Sequence, residues 1–310
     1  MVYQAITDYI PRADGTAVAL GCFDGVHRGH RAVLKKCAEN RGGLRSVALT
    51  FAENPAAALG KDCPPTLTDN ARKAALMKEV GIGDVIFADF SALRALSPEE
   101  FVRDILRDRL NAKSIFCGFN YRFGKNGAGD TEKLRELCAR YGMETEIVAP
   151  VYVDGDAASS TRIRELIAAG EIERANALLG YRFSIEGDIG HGNHLGTAMG
   201  FPTVNLPIGE GMATPRYGVY ASRMAIGGRV YRGATNIGVH PTVGENARPL
   251  CETFLLDYRG EELYGKHAVC ELVQFVRGER KFGSMDELVA QVERDCERIA
   301  AIEIDAKMPK

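Results

Sequence analysis

A chain of 310 residues, 45% hydrophobic and 26% charged, has the composition of a folded protein and is too long for one typical core, so two domains are expected. Disorder, fibres and collagen are excluded. With 39 Lys and Arg against 41 Asp and Glu the formal net charge is −2, so no overall field favours nucleic acid or an anionic membrane and any anion specificity must be local.

From Gly15 to about Tyr181, short apolar runs rich in β-formers alternate with helix-like segments, the pattern of a parallel sheet with crossover helices. The predicted strands are Thr16–Leu20, Leu44–Phe51, Asp84–Ala88, Ser114–Cys117 and Glu144–Ala149. Between the third and fourth lies SPEEFVRDILRDRL, where Ser97 caps a helix, Pro98 suits its first turn and Glu100 completes a capping box. Helices are also expected over Asp130–Tyr141, Ser160–Gly170 and Glu171–Leu179, the last ending at Gly180.

Beyond Tyr181 the texture changes. The last 130 residues hold 17 of the 34 glycines, and strands separated by Gly-containing turns (GVYASRMAIGGRVYRGATNIG) replace the alternation. A second, mainly antiparallel β domain is expected over 182–310, after a first over 1–181. It closes with SMDELVAQVERDCERIAAIE, where Ser284 and Glu287 again form a capping-box signature. The eight cysteines form no CxxC pair or zinc-like cluster and read as reduced thiols. The start lacks a basic region ahead of an apolar stretch and no run reaches membrane-span length, so a cytoplasmic location is expected.

Two constellations carry chemistry. In GCFDGVHRGHRAVLKKC a strand runs into a loop holding Asp24, His27 and His30 and then into a helix. If that helix starts around His27 to Gly29, both imidazoles sit beside its free N–H groups and the positive end of its dipole, which favours phosphate. Gly25 and Gly29 let the main chain approach a ligand. Two such donors suit nucleotidyl transfer, because an attacking phosphate is already ionised and needs orientation more than a base. The plainer reading of HxxH is polar side chains satisfied by backbone; metal ligation lacks a third ligand nearby. His191 and His194 repeat the spacing without a helix start and stay unassigned.

In the β half, GDIGHGNHLGTAMGFPTVNL places Gly187, Gly190, Gly192, Gly196 and Gly200 ahead of PTVN. Such a loop can present N–H groups to phosphates, although glycines in β proteins more often mark turns or bulges. If Thr203 to Asn205 is extended, the two side chains share a face. A hydroxyl and an amide oxygen beside nucleotide phosphates could hold Mg2+; turn or cap duty is the plainer alternative.

GCFDGVHRGH resembles the HxGH-type signature of the bacterial FAD synthetase family, the bifunctional riboflavin kinase/FMN adenylyltransferases. CGFNYRFG (117–124) and SSTRIRELIAAGEIERANALLG (159–180) resemble further family motifs, and GxxxGFPTxN, YGVYA, NIGVHPT, CETFLLDY, LYG and FVRGERKF are similar to the kinase half, all in collinear order. The resemblance implies an α/β nucleotidyltransferase domain with a Rossmann-like parallel sheet, followed by an antiparallel β-barrel riboflavin kinase domain with a terminal helix. It implies ATP, riboflavin and FMN as substrates, no nucleic acid or membrane partner, and Mg2+ with ATP. Carried over by motif, His27, His30 and Glu252 are catalytic. Gly21, Phe23, Asp24, Gly25, Asn120, Ser160, Thr161 and Arg164, with Gly187, Gly192, Gly196 and Gly200, bind ATP. Thr203 and Asn205 hold the metal, and Arg277 lies on the flavin side.

The chain departs from the family pattern at four places. TFAENPAAAL has Asn54 before Pro55 where the family shows a PHP-like element, KNGAGD around Asn126 lacks a late basic residue, and GTAMG around Thr197 lacks an arginine, which His194 could replace. Asp69 stands where threonine is common. Two rivals remain open on sequence alone: a chain retaining only the kinase activity, and a flavin- or nucleotide-binding regulator without turnover. Oligomeric state is not readable.

Overall fold

The computed structural model describes residues 1–40, 42–58, 62–190, 203–239, 248–256, 258–260 and 263–304, and the chain divides into two compact units, Met1–Ser160 and Thr161–Lys310. The first is built on a six-stranded parallel sheet: β1 (Val2–Tyr3), β2 (Thr16–Leu20), β3 (Arg45–Phe51), β4 (Asp84–Ala88), β5 (Ala112–Gly118) and β6 (Glu144–Val148), ordered β1-β4-β3-β2-β5-β6. Every residue of TAVAL and DVIFA is buried, which is why these strands read as unbroken apolar runs rather than as alternation. β2 and β4 fall where expected; β3 and β6 are one residue shorter and β5 reaches two residues earlier and one later. β1 and the small hairpin of β7 (Tyr152–Val153) and β8 (Asp156–Ala157) carry too few residues to show periodicity.

The helices of this unit are α1 (Arg28–Ala38), α2 (Pro55–Ala58), α3 (Asn70–Glu79), α4 (Phe90–Ala95), α5 (Pro98–Glu100) and α6 (Thr131–Arg140). Ser97 and Glu100 make both hydrogen bonds of the capping box, at 3.2 and 2.7 Å. The helix they start then widens into π-type turns over Phe101–Arg109, with Leu110 N–H donating to Ile105 O at 2.9 Å. A regular α-helix was expected there; widening still buries Phe101, Val102 and Leu106. These join Leu134 and Leu137 of α6 and Leu20, Leu49, Ile86 and Ile115 of the sheet in one core.

The second unit starts with α7 (Ser160–Ala169) and α8 (Ile172–Leu179), and Gly180 stops α8 in the left-handed conformation at φ 81°. Six strands follow: β9 (Ser184–Asp188), β10 (Thr203–Pro207), β11 (Gly218–Ile226), β12 (Arg229–Val239), β13 (Pro249–Leu255) and β14 (His267–Gly278). All pairs are antiparallel in the order β10-β13-β12-β11-β14-β9. Gly190 N–H donates to Asn205 O at 3.0 Å, which joins the two edge strands and nearly closes a barrel. Inside it, the hydroxyls of Ser222, Thr235 and Thr253 form a chain with 2.7 Å links, and the Cys270 thiol lies 3.5 Å from the middle one, Thr235. Outside, Ile299 of α9 (Met285–Ala300) packs on Val219, Ala221 and Val276.

Compactness divides the chain earlier than the composition change at 181/182. The Asn176 amide of α8 donates to Leu272 O of β14 at 2.9 Å and its oxygen accepts from Phe183 N at 2.7 Å, so α8 is tied to a barrel strand. Among the described residues no helix is long and apolar enough to cross a membrane, and all eight cysteines are free thiols.

Candidate active sites

In the first unit the chain winds outward on both sides of β2, towards β3 and β4 on one flank and β5 and β6 on the other. Parallel sheets bind ligands outside the carboxyl ends of the strands where this reversal occurs. There β2 gives way to the loop 21–27, in which Phe23 (φ 51°), Gly25 (φ 77°) and Val26 (φ 35°) are all left-handed. Three such residues persist only where the surroundings fix them. Thr50 Oγ1 donates to Cys22 O (2.9 Å), Gly25 N to Thr68 Oγ1 (3.3 Å), Leu67 N to Asp24 Oδ1 (2.9 Å) and Ser160 Oγ to Asp24 O (2.9 Å). Asp24, expected beside ATP, is thus a staple of the loop through both its carboxylate and its carbonyl. Gly21 is required because a Cβ there would lie 2.9 Å from the Phe23 ring.

His27 is the N-cap of α1, 4% exposed, and its Nδ1 accepts the His30 amide hydrogen at 3.4 Å. That bond makes His27 Nδ1 an acceptor, which leaves Nε2 as the ring nitrogen that carries a proton. The two imidazoles stack with centroids 3.6 Å apart, and Phe23 meets His30 edge-on at 5.4 Å. Burial, then the neighbouring His27 and Lys73, push the His30 pKa well below that of an ordinary imidazole. A stacked imidazole pair at the start of an eleven-residue helix suits an anion whose charge builds during reaction.

Asn120 is exposed just past β5, on the other flank of β2. Ser160 opens α7 and is half-buried; Thr161 and Arg164 follow on that helix within the second unit, the first exposed and the second half-buried. The departures have local reasons. Asn54 Oδ1 accepts from Ala56 N at 3.0 Å at the start of α2, and Asp69 caps α3 by accepting from Arg72 N at 2.7 Å, the duty a threonine would perform. Asn126 sits at φ 57°, which asparagine tolerates.

In the barrel, strand register aligns one row of residues: Asn205 faces Glu252, Glu252 faces Asn236, Asn236 faces Val219, and Val219 faces Arg277. Cys251, Thr253 and Leu255 alternate with Glu252 and are buried inside, so the row lies on the outer surface. Thr203 Oγ1 donates to Glu252 Oε1 at 3.0 Å. Asn205 is 5% exposed and its Oδ1 has no hydrogen-bond donor. Arg277 is bound by Asp295 of α9, Nη2 to Oδ2 at 2.7 Å, with Gln291 on the same carboxylate. Gly187 lies in β9 opposite Ala268; Gly192, Gly196, Thr197 and Gly200, like His191 and His194, lie outside the described residues.

Two residues were not singled out from sequence. Asn236, inside the NIGVHPT motif, enters only through the register. Lys73 of α3 is 6% exposed and its Nζ donates to Phe51 O at 3.1 Å, at the carboxyl end of β3. Its sequence signal is a lysine on an apolar stripe with Leu76 and Met77, three and four residues on.

A parallel sheet with an anion-binding helix start at its reversal point, followed by a near-closed antiparallel barrel with an oxygen-rich outer row, defines a two-domain nucleotide-handling protein. The FAD synthetase family model matches residues 10–162 and the riboflavin kinase model residues 179–303. Bifunctional riboflavin kinase/FMN adenylyltransferases of Listeria monocytogenes, Escherichia coli K12 and Bacillus subtilis are 36, 34 and 34% identical, over 90, 91 and 90% of this chain and 89, 91 and 90% of theirs. A solved structure of a macrolide-efflux protein from Streptococcus pneumoniae superimposes with a TM-score of 0.88 at 29% identity, covering 98% of this chain and 99% of that one. The chain belongs to the family of bifunctional riboflavin kinase/FMN adenylyltransferases.

Proposed function

We infer that the chain makes flavin cofactors in two ATP-dependent steps: riboflavin is phosphorylated to FMN, and FMN is adenylylated to FAD with release of pyrophosphate. The observation that carries this reading is that both halves match along their length and in order, so neither activity lacks its domain. The activity divides between an adenylyltransferase domain over 1–181 and a kinase domain over 182–310.

For the kinase, Glu252 is the base that takes the proton from the primary hydroxyl of riboflavin as its oxygen attacks the γ-phosphorus of ATP and ADP leaves. The Thr203 hydroxyl, bonded to Glu252 Oε1, holds that carboxylate in place. Thr203 and Asn205 are the residues that would hold Mg2+: the orphaned Asn205 Oδ1 and a hydroxyl are hard oxygen donors of the kind that ion takes, with waters and phosphates completing the shell. Bound there, the ion would neutralise phosphate charge. Among the described residues no cluster of three or more His, Cys, Asp or Glu offers an alternative metal site. Gly187, with Gly192, Gly196 and Gly200, forms the nucleotide cradle, and Arg277 closes the flavin side.

For the adenylyltransferase, a phosphate oxygen of FMN attacks the α-phosphorus of ATP and pyrophosphate leaves. No base is needed, because that phosphate is already ionised. His27, His30 and the start of α1 stabilise charge on the transferring group, on a loop shaped by Gly21, Phe23, Asp24 and Gly25. Asn120, Ser160, Thr161 and Arg164 complete the ATP contacts. Both reactions draw on cytoplasmic ATP, and the free thiols suit that compartment.

The test is to incubate flavin-stripped protein with riboflavin, ATP and magnesium and separate the flavins over time. Transient FMN followed by FAD supports both activities. FMN that accumulates without FAD reduces the reading to a kinase, and flavin binding without ATP consumption replaces it with a regulator.

A further inference from the structure

Lys73 is a buried cation that the reactions above do not use. Its ammonium donates to a single main-chain oxygen, Phe51 O, and among the described residues it meets no carboxylate within ion-pair distance. The Phe87 ring lies 5.8 Å away. Burial lowers the Lys73 pKa, and the more distant Asp24, Cys22 and Asp69 only partly offset that. An ammonium withdrawn from water without a counter-ion is costly, and folds keep one where a charge arrives from elsewhere.

Its place indicates which charge. Phe51 ends β3, so the ammonium stands at the carboxyl edge of the sheet, where ligands bind. It is near enough to His30 to disfavour protonation of that imidazole. The anion site of α1 and Asn120 lie at the β2–β5 reversal, whereas Lys73 comes from α3, on the β3–β4 flank. Two anionic substrates must meet here, and the flank of the reversal suited to the adenylyl donor is already furnished.

We propose that Lys73 receives the 5′-phosphate of the flavin substrate and holds it beside the helix start of α1. This rests on the adenylyltransferase reading. The attacking group carries close to two negative charges and must approach a triphosphate that also repels it. A cation held in a low-dielectric pocket neutralises that charge and orients the attacking oxygen without acting as a base. It also selects FMN over riboflavin, because the unphosphorylated flavin would leave the ammonium unpaired.

The test uses flavin-stripped full-length protein, with Lys73→Met and Lys73→Arg, and follows FAD formation from FMN and ATP. Lumiflavin, which has no phosphate and no ribityl hydroxyl to phosphorylate, serves as competitor. For Lys73→Met the KM for FMN should rise about tenfold or more, the loss typical of a charge-assisted hydrogen bond, while the KM for ATP and the lumiflavin inhibition constant stay unchanged. Lys73→Arg should recover most of the FMN affinity. Methionine removes a buried charge at similar length, so folding is expected to survive.

An unchanged KM for FMN overturns the proposal. So does a parallel rise in the lumiflavin constant, which would make Lys73 a packing residue, and so does a rise in the KM for ATP alone, which would give the ammonium to the nucleotide. Failure of the unsubstituted protein to make FAD would instead sink the adenylyltransferase reading itself.

Discussion

Replacing Gly25 by alanine tests whether the loop 21–27 is the precision element of the adenylyltransferase. Gly25 has φ 77°, and a Cβ there would lie 2.7 Å from Leu67 Cδ1 and 3.0 Å from Leu67 Cβ. The left-handed backbone costs an L-residue about 1–2 kcal/mol, and relieving a contact of that kind costs about 1–3 kcal/mol. Domains have roughly 5–15 kcal/mol of stability, so the first unit should stay folded and the loop should yield. The Leu67 amide holds Asp24 and the Thr68 hydroxyl holds Gly25 itself, so movement passes directly to His27. A shift of about 1 Å in a reacting group can cost about 100-fold, and kcat/KM for FAD formation from FMN should fall by about that factor. Riboflavin phosphorylation, measured on the same sample, should be unchanged. Adenylylation within about threefold of the unsubstituted protein would refute the argument that this backbone sets the histidine geometry.

Glu252→Gln should lower the kinase kcat by about 10²- to 10⁴-fold, the usual worth of a positioned base, with adenylylation of added FMN intact; riboflavin phosphorylation at full rate would remove Glu252 from the mechanism. Asn205→Ala should move the magnesium dependence of the kinase to higher concentration without altering that of the adenylyltransferase, read from two titrations of one preparation. Because burial holds the His30 pKa well below the ordinary imidazole value, FAD formation should stay level as pH falls through about 6.5. It should decline only at lower pH, where His30 gains a proton; a midpoint near 6.5 would mean that His30 is not the titrating group or is not buried in solution.

The parallel unit was legible because its strands are buried on both faces. TAVAL and DVIFA carry no competing signal, so β2 and β4 were bounded correctly, and Ser97 with Glu100 announced a helix start that both hydrogen bonds confirm. What followed was not legible: the change to π-type turns depends on how Phe101, Val102 and Leu106 meet the core, and periodicity scarcely distinguishes the two windings. In the sites, motifs named residues but not their tasks. Asp24 reads as a ligand in GCFDG, and the fold adds a second task that the motif does not show, bonds to Leu67 and Ser160. Asn236 gained its place only from a five-strand register, and Lys73 was hidden because a lysine in a helix ordinarily faces water.

The bond from Gly190 to Asn205 closes the barrel through the main chain of the residue whose side chain is left without a donor. One amino acid is therefore both seam and socket. Whatever fixes the Asn205 amide also fixes the carbonyl to which Gly190 donates, so occupancy of the outer row and the integrity of the cylinder share a thermodynamic account. Amide exchange at Gly190 is then a gauge of how firmly the ring is shut.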